Sequence, residues 1–145
     1  MNSDSTVFVV DDDPGARESV VALVGLKGLR AEGYASAEDF LAKYDPSWAG
    51  CVVVDVKMSG MSGLELLRKL NDRKSHLPVV VITGYADVSL AVKAMQEGAF
   101  TFLEKPCQEQ ELWTAIQQAL EREKSQQPQR RERTETEARL TTLTD

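Results

Sequence analysis

Asp11-Asp12-Asp13, Asp55, Thr83 and Lys105 each follow a short, mostly apolar run: Val7–Val10, Cys51–Val54, Val79–Ile82 and Phe100–Glu104. Ligands of a parallel α/β sheet bind outside the carboxyl ends of its strands. If the four runs are strands of one such sheet, carboxylates, a hydroxyl and an ammonium share one edge. Carboxylates suit a hard cation, and the hydroxyl and ammonium suit an anion, so the set fits phosphoryl transfer onto a carboxylate. Crowded carboxylates repel one another. A divalent cation relieves that repulsion, and magnesium, which keeps several waters, needs only two of them. Asp55 is the candidate acceptor, able to form a mixed anhydride by attack on phosphorus. The Thr83 hydroxyl can donate to a phosphoryl oxygen, with Gly84 leaving room beside it, and Lys105 offers a point charge. Taken singly, these are ordinary residues: a turn with a helix cap, a loop aspartate, a β-favouring threonine, a solvated lysine. Their recurrence at four strand ends is the signal.

The elements that must position them alternate strand and helix five times. Val7–Val10 and Cys51–Val54 are continuously apolar, as in strands covered on both faces. Leu29–Tyr34 reads as a weaker strand, Val79–Ile82 is wholly β-branched, and Phe100–Leu103 is the fifth. Asp13 with Pro14 opens the first helix, whose apolar residues Val20, Val21, Val24 and Leu26 lead to about Gly28. Ser36 with Asp39, and Ser62 with Glu65, resemble capping boxes. Asp87 is expected to cap a helix with Val88, Val92 and Met95 on one side, stopped at Gly98. The last helix starts near Glu109 and carries Leu112, Ile116 and Leu120 on one stripe. The pattern predicts an α/β fold, a parallel sheet with helices on both faces.

The 145 residues suit one domain and a short extension. The net charge of −6 argues against a free-standing nucleic-acid binder. Residues 121–145 hold six basic and six acidic side chains, so the whole excess lies in the first 120 residues. No apolar stretch is long enough to span a bilayer, and the N-terminus has no secretory pattern. Cys51 and Cys107 read as reduced thiols, consistent with a cytoplasmic protein. His76, the single histidine, precedes a strand and suits a surface or turn role. From Arg122 the composition turns polar and charged. Residues 124–145 read as a linker, partly helical, with Pro128 as a helix breaker.

Asp11-Asp12, Asp55 with Lys57-Met58 and Ser62-Gly63, Thr83-Gly84 and Lys105-Pro106 together resemble the receiver domain of two-component response regulators. The likeness covers about residues 5–123. Val81–Val88 and Phe102–Pro106 resemble the FixJ type. One departure is Ser59, where the family usually has proline.

The resemblance implies a three-layer, doubly wound (βα)5 flavodoxin-like fold with strand order 2-1-3-4-5. It implies that Asp55 takes a phosphoryl group from a sensor histidine kinase. Mg2+ (or Mn2+) would be held by Asp12, Asp55 and the Lys57 backbone carbonyl, with Asp11 acting through water. Thr83 and Lys105 would hold phosphoryl oxygens, and the Lys105–Pro106 peptide would be cis. Phe102 would turn inward on activation. The face of the fourth helix, fifth strand and fifth helix would then dimerise, with Val92 and Met95 as candidate contacts. Lys57 and Tyr85 would set the lifetime of the phosphorylated state by flanking the attacking water. Such a domain phosphorylates and dephosphorylates itself but is not a turnover enzyme.

Leu140–Asp145 resembles the opening of a helix-turn-helix domain, so a truncated transcription regulator is expected, with DNA contacted only by a domain outside this sequence. A natural stand-alone receiver acting as an interaction adaptor is the competing view. A haloacid-dehalogenase-type phosphatase would share Asp11-x-Asp13 but end in an acidic pair rather than Lys105-Pro106. A flavin-binding relative would want glycines and hydroxyls in place of the acids after the first strand.

Overall fold

A computed structural model describes residues 5–84 and 88–144, with side chains through residue 126. Tyr85 and the expected cap Asp87 lie outside the described residues. Five strands, β1 (Ser5–Val10), β2 (Arg30–Tyr34), β3 (Ala49–Asp55), β4 (Val79–Thr83) and β5 (Thr101–Glu104), alternate with five helices. These are α1 (Pro14–Leu26), α2 (Ala37–Lys43), α3 (Gly63–Asp72), α4 (Val88–Gln96) and α5 (Glu109–Thr144). The sheet order is β2-β1-β3-β4-β5, and every pairing is parallel. That is the expected doubly wound order, with β1 and β3 side by side at the point where the winding reverses.

Alternation along the strands divides the interior in two. Phe8, Val10, Val52, Val54, Val79 and Val81 pack toward α2, α3 and α4, where Phe40, Leu66, Leu67 and Leu70 are buried. Val7, Val9, Cys51, Val53, Val80 and Ile82 face α1 and α5. Phe8 stacks on Trp48 with ring centroids 4.5 Å apart, and Phe40 meets Tyr34 edge to face. These contacts close the β2 side of the first layer.

The helix starts follow their caps. Asp13 accepts from Ala16 N–H at 3.0 Å ahead of Pro14, Ser36 from Asp39 N–H at 3.0 Å, and Ser62 from Glu65 N–H at 3.2 Å. Each bond satisfies a donor that the first helical turn leaves unpaired.

Some expectations shift. α1 ends at Leu26, whose side chain is 85% exposed rather than part of the apolar stripe. On α4, Val88, Val92 and Met95 are exposed and Ala94 faces the core, because that short helix meets the sheet through a small residue. On α5 the buried line is Leu112, Ala115, Ile116, Ala119 and Glu123, with Leu120 at its margin. The expected break at Pro128 is absent: the backbone of α5 is helical to Thr144. A proline forfeits one helical hydrogen bond, but the turns on either side retain theirs.

Candidate functional site

The carboxyl rim of the sheet gathers the chemistry. Asp11 follows β1 directly, and its N–H donates to Tyr34 O at 3.1 Å, so the backbone pairing with β2 runs one residue past the strand. Its Oδ1 accepts from Asp13 N–H at 3.0 Å, folding the acidic turn back on itself. Asp55 ends β3, and its Oδ1 accepts from Lys57 N–H at 3.1 Å. The loop beyond returns hard against that strand end: a Cβ on Gly63 would lie 2.5 Å from Asp55 O. Only glycine lets α3 start so close.

Lys105 joins the two acids. Its Nζ donates to Asp55 Oδ2 at 2.8 Å and to Asp11 Oδ2 at 3.1 Å. Its backbone is fixed beside β4, since Lys105 N–H donates to Thr83 O at 2.8 Å. The following peptide to Pro106 is cis. Asp11 and Asp55 are buried to 5% and 9% exposure, so their charges are weakly screened by water. Burial works against the charge on Lys105, but the hydrogen bonds and negative charges of Asp55 and Asp11 outweigh it. The ammonium's pKa is therefore raised above its ordinary value.

Thr83 is fully buried at the end of β4 and pairs in register with Glu104. A Cβ on Gly84 would meet Lys105 Cβ at 3.9 Å, an ordinary contact, so the protein itself does not demand glycine there. Phe102 is half-buried on β5, opposite Val81, and packs against the core layer under α4. The adjacent Leu103 packs toward α5. The Lys57 side chain is exposed. Asp13 stands apart as the α1 cap, and His76 lies before the amino end of β4, away from this rim.

Three supporting residues were not singled out from sequence. Arg17 Nη1 donates to Asp11 O at 2.7 Å and so ties α1 to the acidic turn. Glu38 Oε2 accepts from Met61 N–H at 3.1 Å across the rim. Glu123, wholly buried at the opposite end, accepts from Gly50 N–H at 3.2 Å. Glu123 had a visible signal, four residues beyond Ala119 on the apolar stripe of α5. Arg17 and Glu38 had none, because their bonds are to backbone groups, which no residue type marks.

Among the described residues, no group of three His, Cys, Asp or Glu side chains could hold a metal ion on its own. The oxygens of Asp12 and Asp55 with the Lys57 carbonyl instead match a cation that takes one or two carboxylates and retains water, as Mg2+ or Mn2+ does. The donor set fits such an ion. No helix among the described residues is long and apolar enough to cross a membrane.

Comparison with known proteins gives the family of the chain. The sequence profile of the response regulator receiver domain matches residues 7–117. The chain is 44% identical over 137 residues to the transcriptional regulatory protein FixJ of Azorhizobium caulinodans, covering 94% of this chain and 65% of that protein. It is 39% identical over 120 residues to the C4-dicarboxylate transport transcriptional regulatory protein DctD of Pseudomonas aeruginosa, covering 83% of this chain and 26% of the relative. This chain thus spans less than two thirds of either relative. A crystal structure titled FixJ-N superposes with a TM-score of 0.76 at 43% identity, over 83% of this chain and 96% of the other.

Proposed function

We propose, on the premise that this chain belongs to the response regulator receiver domain family and is of the FixJ type, that Asp55 accepts a phosphoryl group from the phosphohistidine of a sensor kinase. The observation that carries this reading is Lys105 Nζ bridging Asp55 Oδ2 and Asp11 Oδ2. A lysine held between two acids offsets part of their charge before reaction and can turn to a phosphoryl oxygen afterwards. A carboxylate oxygen of Asp55 forms the new bond to phosphorus as the phosphorus–nitrogen bond to the histidine breaks, and the electron pair leaves with the imidazole. The Lys57 N–H on Asp55 Oδ1 holds the carboxylate plane during this attack. The Thr83 hydroxyl and Lys105 receive the phosphoryl oxygens. Asp12, Asp55 and the Lys57 carbonyl would hold Mg2+ or Mn2+, with Asp11 acting through water. A bound cation there supplies positive charge to offset the crowded oxygens. The Lys57 side chain and Tyr85 govern access of the hydrolytic water.

Residues 1–123 form the receiver, and residues 124–145 form a charged helical linker toward an effector domain. Movement of Thr83 toward the new phosphoryl group opens space that Phe102 fills. This repacks the α4-β5-α5 face, on which Val92 and Met95 are each 48% exposed. A homodimer through that face would control DNA binding by the effector, in the cytoplasm. The switch is a local charge change biasing a two-state surface.

Intact-mass spectrometry after incubation with acetyl phosphate and Mg2+ tests the reading. The parent should gain one phosphoryl group and Asp55→Asn none. An unmodified parent, or equal labelling of both, would overturn it.

A further inference from the structure

We infer that the backbone N–H of Ser59 is a latch competing with a divalent cation for Asp12, an inference that rests on the cation site proposed above. Asp12 sits half-buried after β1, and its Oδ2 accepts from Ser59 N–H at 2.8 Å. Ser59 lies in the loop between β3 and α3, where the family usually carries proline. Proline has no N–H, so this bond exists because the residue is not proline. Two residues on, Met61 N–H donates to Glu38 Oε2 at 3.1 Å. The loop is therefore fastened at two points. One is a carboxylate of the cation's donor set, and the other is a carboxylate of α2 outside it.

The Oδ2 of Asp12 that takes the Ser59 N–H belongs to the cation's proposed donor set. A cation shared with Asp55 draws on the same carboxylate, and its pull on Asp12 breaks the tie. Cation binding thus releases the loop at Ser59 while Glu38 retains it at Met61. The freed stretch adjoins Lys57, whose carbonyl belongs to the same donor set. Ser59 is a positioning residue, acting on the cation through Asp12 and on the loop through its own backbone.

Equilibrium binding of Mn2+ alone to the full chain, followed by electron paramagnetic resonance, tests this. Ser59→Pro lacks the competing N–H and should bind Mn2+ about three- to tenfold more tightly, the scale of one partly exposed hydrogen bond to a charged acceptor. Ser59→Ala keeps the N–H and should keep the parent's Kd. In the parent, amide hydrogen exchange at residue 59 should speed up on adding Mg2+ while that of Met61 does not. This measurement decides the matter alone if Ser59→Pro fails to fold. A folded Ser59→Pro with unchanged or weaker Mn2+ affinity, or unchanged exchange at residue 59 under saturating Mg2+, overturns the latch and leaves the cation site standing. A parent that binds no Mn2+ overturns both.

Discussion

Lys105 Nζ stands 2.8 Å from Asp55 Oδ2, and the residues that make this contact are 50 apart in the chain. The same ammonium reaches Asp11, so one cation serves two acids whose side chains are 12% and 7% exposed. Lys105→Ala would leave two neighbouring carboxylates facing each other without it. The expected cost is about 1–3 kcal/mol of stability, the range for losing charge-assisted bonds at a partly buried site. Urea unfolding of parent and variant at neutral pH measures it, and a variant as stable as the parent would contradict the bridging role.

The same bridge has a pH signature. The folded protein holds the Lys105 proton more tightly than the unfolded chain does, so its stabilisation is whole below 10.5 and fades as pH rises through the folded value. Tyr34 acts in the same direction. Burial, and then the hydrogen bond and charge of Glu32, push its phenol from 10.0 up to about 12. Stability should therefore be level with respect to these two groups at neutral pH and fall steadily above about pH 10. Absorbance titration at the phenolate band should show a late ionisation that Tyr34→Phe removes.

Gly50 tolerates no side chain. Its φ is +135°, and a Cβ there would lie 1.8 Å from Thr6 O, where β1 and β3 pair. Gly50→Ala should destabilise the fold by at least about 3 kcal/mol or prevent its accumulation, because backbone on both sides must shift. Chemical denaturation, or the soluble yield where folding fails, gives the answer.

The two thiols should differ in reactivity. Burial, with a smaller contribution from the charge of Glu123, pushes Cys51 up to about 12, and its side chain is inaccessible. The Cys107 thiol is also raised, by burial and then by Glu111, but it is only half-buried. A chromogenic disulfide reagent at neutral pH should modify Cys107 slowly and Cys51 only on unfolding. Equal native-state rates would refute this.

Much of the architecture is legible in the residues. Continuous β-branched runs mark strands covered on both faces, and Asp13-Pro14, Ser36 and Ser62 mark helix starts, because these signals act within one turn of chain. The pairing order entered through family resemblance, since periodicity carries no record of which strand lies beside which. The convergence of Asp11, Asp55 and Lys105 followed from that order. The Ser59 and Glu38 ties could not be read, because backbone amides carry no sequence letter. Pro128 misled because the expectation weighed a local propensity against a long run of good helix formers and favoured the former.

Glu123 has a consequence for how such a protein can be rewired. It fastens α5 at Gly50, near the amino end of β3, whereas Asp55 closes the carboxyl end of that strand. Those two points are five residues apart along an extended chain, about 17 Å at the usual rise per residue. A segment joined to α5 past this anchor therefore starts at the pole of the sheet opposite the rim that carries Asp11, Asp55 and Lys105, and can be exchanged like a tool head without crowding that rim.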